Sequence, residues 1–161
     1  MEVYYFMKIR FASENDLDSV NELRKQVNEL HAAGKPEVFK PEFSQGMRDF
    51  IYQIWNDPEQ VIIVAEKDSA ICGYAVLHHI IRPENPAKWE QDFLDIDEFG
   101  VDEACRRQGI ATEMIAFIRE FAANRGYSRI ELNMWEFNKE ALAFYEAVGF
   151  TTFRRFMEIS L

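Results

Sequence analysis

The chain has 161 residues, 48% hydrophobic and 14% aromatic, and a formal net charge of −10. That apolar share excludes disorder and supplies a core able to bury about two-thirds of the unfolded surface. The acidity excludes a nucleic-acid partner, which is held by clustered Lys and Arg, and suits a neutral or cationic one.

Two cysteines, Cys72 and Cys105, stand at no metal-ligand spacing. They imply neither a disulfide framework nor a zinc site, so no metal is expected, and they fit a reducing, cytoplasmic setting. No apolar run approaches the roughly 20 residues of a membrane span, so no membrane partner is expected. The start "MEVYYF" is too short for a signal peptide, and since "MKIRFASEND" also reads as a beginning, both Met1 and Met7 stand as starts. Without repeats or Gly/Ser linkers, residues 1–161 are expected to form a single domain.

In chain order, "KIRFA" predicts a short strand, followed by a helix over 13–34. Ser13 caps it with Asp16 three residues on, and Leu17, Val20, Leu23, Val27 and Leu30 form its apolar face. "KPEVFKPEF" is a Pro-broken loop. A second helix carries Met47, Phe50, Ile51, Ile54 and Trp55 at helical spacing and ends at "NDP". Residues 60–83 read as a hairpin around "KDSA", and "FLDIDEFGV" (93–101) as a further strand. Then come a helix over 112–126 closed by Gly126, a strand over 128–135, and a short helix, "NKEALAFYEAVGF". A final strand, "TTFRRFMEISL" (151–161), closes the order β-α-α-β-β-β-α-β-α-β. That order implies an α/β domain with a mixed sheet and helices on both faces.

Two stretches carry chemistry. In "VDEACRRQGIA" a strand passes through a glycine loop into a helix, whose free N–H groups and positive dipole end make an anion seat. Gly109 lets a phosphate approach closely, Ala111 keeps the next inward position small, and Arg106 and Arg107 add charge-assisted hydrogen bonds. The alternative is a basic loop pairing with the neighbouring acids. In the second stretch, Asn138, Ala141 and Tyr145 stand at i, i+3 and i+7 and share one helix face. That face suits a narrow ligand; the alternative is an N-capping Asn138 and a half-buried core Tyr145.

Together the two stretches resemble the GNAT superfamily of N-acetyltransferases. Its Gln/Arg-x-x-Gly-x-Gly/Ala loop is met by Arg106, Gly109 and Ala111. Its Asn-x-x-Ala-x-x-Phe-Tyr-x-x-x-Gly-Phe signature is met by Asn138, Ala141, Phe144, Tyr145, Gly149 and Phe150. The resemblance covers nearly the whole chain. It implies a twisted, mostly antiparallel mixed sheet of six to seven strands, and acetyl transfer from acetyl-CoA to a primary amine through a tetrahedral intermediate.

Carried over, the N–H groups of Arg107, Gln108, Gly109, Ile110, Ala111 and Thr112 would cradle the CoA pyrophosphate, with Arg106 or Arg107 assisting. Phe99, Gly100 and Val101 would pair with the pantetheine arm and polarise the thioester carbonyl. Asn138 and Ala141 would line the arm, and Tyr145 would protonate the departing thiolate. Asp97 and Glu98, expected on opposite faces of their strand, are the candidate bases for the amine, with a water wire as the alternative. His78 and His79 are further candidates, of which at most one faces the site. Phe39, Phe43 and Trp89 are expected near the acceptor. The acceptor is expected to be a cationic small molecule such as a polyamine or aminoglycoside. The alternatives are a protein N-terminus or lysine, or an acyl-CoA-binding module without catalysis. Many members of the superfamily dimerise, so a homodimer is a further implication, though no residue here marks its surface.

Overall fold

The computed structural model describes residues 6–161; the apolar start, residues 1–5, lies outside them. One five-stranded sheet runs in the order β1 (Met7–Phe11), β2 (Gln60–Lys67), β3 (Ala70–Arg82), β4 (Gln91–Val101), β5 (Ile130–Leu132). Every pairing is antiparallel except β4 with β5, which is parallel. The β2–β3 turn holds both Asp68 and Ser69 at positive φ, 50° and 67°, a twist that matches the flanking strands.

Helices α1 (Leu17–Gly34) and α2 (Gln45–Asn56) cover one face, and α3 (Ile110–Asn124) covers the other. This is why β2 reads as an unbroken apolar run. Ile62 and Val64 pack under α1 and α2, while Ile63 and Ala65 pack under α3. The capping box is present, with Ser13 N–H donating to Asp16 Oδ2 at 2.7 Å. Arg10, bonded to both Asp16 oxygens, holds that carboxyl down at about 2.

The α1 stripe departs from the expected one. Leu17, Val20 and Leu23 are buried, but Leu30 is 42% exposed, and Asn21, Arg24 and Asn28 are buried instead. The helix thus leaves the apolar core and runs along a polar cleft.

The expected final strand over 151–161 is not formed, so the sheet has five strands rather than six or seven. Alternation makes a segment able to pair, but a strand also needs an edge, and β5 offers three residues at the sheet margin. The segment runs exposed throughout.

Candidate functional site

β4 carries an irregularity that shapes the site. Val76 of β3 pairs with Glu98 and the next residue, Leu77, pairs with Ile96, so Asp97 is an extra residue without a partner. This bulge inverts the facing of the strand. Before it Leu94 and Ile96 pack toward α3; after it Phe99 and Val101 do. Asp97 and Glu98 therefore do not separate onto opposite faces as regular alternation predicts: both line one cleft of about 1020 Å³.

The same cleft is where β4 and β5 part. Their pairing covers only Leu94, Ile96 and the residue between them. From Asp97 to Val101 one edge of β4 bonds to β3 and the other has no strand partner among the described residues. Phe99 and Val101, which alternate with the β3-paired Gly100, thus turn their backbone groups toward the cleft, and all three residues line it.

At the end of β4 the chain turns through a short 3-10 segment (Glu103–Cys105), capped by Asp102, whose Oδ1 accepts from Ala104 N–H at 2.9 Å. Gly109 then stands at the N-cap of α3 with φ 82°. A Cβ built on Gly109 meets no protein atom within 4 Å, so the space beside it is open. The first α3 bond runs from Glu113 N–H to Gly109 C=O, which leaves the amides of Gly109, Ile110, Ala111 and Thr112 without helical acceptors. Arg106 and Arg107 also line the cleft, the former with Nε donating to Val101 C=O at 3.4 Å. Gln108 does not line it; its Oε1 accepts from Lys67 Nζ at 2.5 Å, which ties the loop to the β2–β3 turn.

Helix α4 (Lys139–Ala147) crosses the opposite side. Asn138 caps it, with Oδ1 accepting from Ala141 N–H at 3.1 Å, and both residues line the cleft. The capping reading of Asn138 therefore holds, alongside a place at the cleft wall. Tyr145 is edge-on to Phe99 at 6.2 Å and to Phe150 at 5.6 Å between ring centroids. Burial pushes its phenol up to about 12, so it stays protonated well beyond neutral pH.

The carboxylates differ in their commitments. Glu98 accepts from Arg24 Nε at 2.8 Å and Nη2 at 3.1 Å, and from Tyr74 OH at 3.0 Å. Asp97 accepts from no described residue, and burial together with Glu98 raises its pKa. Burial, with Asp97 and Glu131 nearby, pushes Asp95 up to about 6. His78 and His79 do not line the cleft. His79 bridges Glu59 and Asp92 at 2.8 and 2.9 Å.

Several cleft residues escaped the sequence reading. Arg24, 7% exposed, holds Glu98 and also donates to Asn21 Oδ1 at 3.0 Å and Met47 C=O at 2.7 Å. Asn28 and His31 continue its stripe along α1, and the spacing 21, 24, 28, 31 was the available signal. The aromatic wall is built from His31, Phe39 and Trp135, with centroids 4.9 and 5.2 Å apart in turn. Phe43 lies under Arg24, at 5.8 Å. Trp89, expected in that wall, is 79% exposed and outside the cleft: its loop projects from the β3–β4 connection.

Among the described residues no group of three or more His, Cys, Asp or Glu is placed to hold a metal ion. Nor is any helix there long and apolar enough to cross a membrane.

A mixed sheet that splays at a bulge, beside a glycine-started helix, defines a fold with a built-in slot for an extended ligand. The sequence profile of the acetyltransferase (GNAT) family matches residues 24–150, and the chain belongs to that family. Human N-acetyltransferase 8 is 38% identical over 87 residues, covering 54% of this chain and 37% of that protein. The chain spans less than two-thirds of the length of the curated relatives it matches. A mutant of the BH1408 protein from Bacillus halodurans superposes with a TM-score of 0.91 at 25% identity, over 96% of this chain and 99% of that one. The aminoglycoside N-acetyltransferase AAC(6')-Iy, solved in complex with CoA, shares the fold with a TM-score of 0.77 at 18% identity, over 100% of this chain and 98% of that one.

Proposed function

We propose that this domain is an N-acetyltransferase that moves an acetyl group from acetyl-CoA to a primary amine on a cationic small molecule. The observation that carries the reading is the free edge of β4 at Phe99–Val101, continuous with the unpaired amides that begin α3. An extended amide arm ending in a pyrophosphate needs that sequence of partners: first backbone edges, then a ring of N–H donors. The open space at Gly109 fits the phosphate end. The named activity of AAC(6')-Iy, a protein of the same fold, supports an amine acceptor of this kind. Two free thiols fit a cytoplasmic protein.

Acetyl-CoA brings a thioester already activated toward an amine. The backbone N–H groups of Phe99 and Val101, turned away from β3, hold its carbonyl and stabilise the negative oxygen formed on attack. An alkylamine is mostly protonated at neutral pH, with a pKa of about 10.4 like lysine, and must first lose a proton. Asp97 takes it, because its oxygens are uncommitted and its raised pKa makes it the better base. Glu98, fixed by Arg24 and Tyr74, adds negative potential that draws the cation in. Cationic side groups of the acceptor find aromatic faces at Phe39 and Trp135.

Tyr145 faces the departing sulfur. With its phenol near 12 it holds its proton more tightly than a CoA thiol of about 8.5 would. It therefore acts as a hydrogen-bond donor to the developing thiolate, rather than as the closely matched acid that free-solution values imply. The test compares thiol release from acetyl-CoA with spermidine for the wild type and Tyr145→Phe. Amine-dependent release is expected, with kcat about tenfold lower in the variant and acetyl-CoA affinity little changed. Release that no amine in a panel of polyamines, aminoglycosides and peptides accelerates would overturn the reading.

A further inference from the structure

The chain's two cysteines lie together beside the acetyl-CoA slot, and acetyl transfer uses neither. Cys72, 3% exposed, sits on β3 with its side chain toward α3. The ladder between β3 and β4 continues one residue past β4, with Asp102 N–H donating to Cys72 C=O at 2.8 Å. The chain then turns straight back, with Cys105 N–H donating to Asp102 C=O at 2.8 Å. That turn lays Cys105 over the end of the ladder, where it packs against the same core cluster as Cys72. Burial, and then the neighbouring Cys105 thiol, push the Cys72 thiol up to about 11. Cys105 is half-buried and lines the cleft, so one thiol of the pair is reached from the slot and the other is shielded.

Cys105 is also the last residue before the loop that starts α3. That loop holds Arg107 at φ 61° and Gly109 at φ 82°. A side chain at positive φ is strained, so the loop amides keep their places only while the chain enters the loop at the right point.

We propose that Cys72 and Cys105 form a reversible disulfide that switches acetyl-CoA binding off. The oxidant is a hydroperoxide that enters by the slot. The accessible Cys105, as thiolate, attacks a peroxide oxygen and becomes a sulfenic acid, releasing hydroxide. The Cys72 sulfur then displaces the sulfenic oxygen, which leaves as water. In balance, two thiols lose two electrons and two protons, and hydrogen peroxide becomes two molecules of water. Closing the bond shortens the sulfur separation from contact to about 2.05 Å. β3 is paired on both sides, so Cys105 moves rather than Cys72 and draws the loop entry toward the sheet. The amides of Gly109–Thr112 then no longer converge on one pyrophosphate. A dithiol reductant restores them, in keeping with the transient role of intracellular disulfides.

Intact mass and titration calorimetry of the full chain test this. One equivalent of hydrogen peroxide is expected to lower the mass by two hydrogens and to link the peptides of Cys72 and Cys105, and dithiothreitol to reverse both. The oxidised protein is expected to bind acetyl-CoA about tenfold more weakly or worse. By linkage, saturating acetyl-CoA should disfavour the disulfide by the same factor in a dithiothreitol redox buffer. Cys72→Ser keeps a donor for Ala65 C=O, which the thiol meets at 3.3 Å, and cannot close the bond. Its affinity is expected to survive the same treatment. Oxidation that stops at a sulfenic or sulfinic acid on Cys105 overturns the proposal, as does a disulfide form that binds acetyl-CoA like the reduced one. So does a loss of affinity in Cys72→Ser as large as in the wild type. The proposal rests on acetyl-CoA lying at this loop: a reduced protein that binds none overturns that reading and the proposal together, whereas the other outcomes overturn the proposal alone.

Discussion

Gly109→Ile is expected to weaken acetyl-CoA binding by about 100-fold or more while the protein stays folded. The two effects separate because the site treats a side chain there differently from the chain around it. Beyond its chain neighbours no protein atom lies within 4 Å of an added Cβ, so a side chain there starts into open space in the free protein. Its cost to folding is the left-handed backbone at φ 82°, about 1–2 kcal/mol for a residue with a Cβ. In a domain of this size that lowers the melting temperature by roughly 3–8 °C. The bound pyrophosphate, however, would occupy that same open space against the amides of α3, and a branched side chain excludes it. Gly109→Ala should fall between the two in isothermal titration. Unchanged affinity in the isoleucine variant would remove the loop from the site.

Asp97→Asn is expected to lower kcat/KM about 100-fold near neutral pH, with the deficit shrinking as the pH approaches that of the free amine, about 10.4. Asparagine keeps the shape of the bulge and loses only the base, so a substrate that deprotonates in solution should recover the rate. In the wild type, activity should fall as pH drops through the raised pKa of Asp97 and the carboxylate becomes protonated. The stability sign is opposite. A carboxyl whose folded pKa is raised contributes stability below its unfolded value, about 3.9, and loses it as pH rises through the folded one. Asp97→Asn should therefore be slightly more stable than the wild type at neutral pH, although it is less active. Glu98→Gln should behave differently, because it leaves the buried Arg24 guanidinium without its anion and loosens the fold. A wild-type rate and pH profile in Asp97→Asn would move the base elsewhere.

What the sequence made legible was local. Gly109 before an apolar helix, and Asn138 and Tyr145 seven residues apart, can be read from spacing because each depends on its own turn of helix. The bulge at Asp97 could not, since an extra residue in β4 exists only relative to β3, and regular alternation put Asp97 and Glu98 on opposite faces. The Arg24–Glu98 pair joins residues 74 apart in the chain, so neither side chain announces the other. Trp89 and Trp135 are equally aromatic in sequence, but only the second lies where α1 and the splayed strands converge. The final strand expected over 151–161 is not formed, because pairing depends on a neighbouring edge that the segment's own residues do not reveal and that β5 offers over only three residues.

The claim on which the rest stands is that one acetyl-CoA lies along the free edge of β4 and ends at the start of α3. Amide chemical shifts of the chain titrated with acetyl-CoA test it most directly. The largest saturating changes are expected at Phe99, Gly100 and Val101 and from Gly109 to Thr112, two stretches separated in sequence and joined only by the cleft. Changes centred on any other surface, or none that saturate, would contradict it.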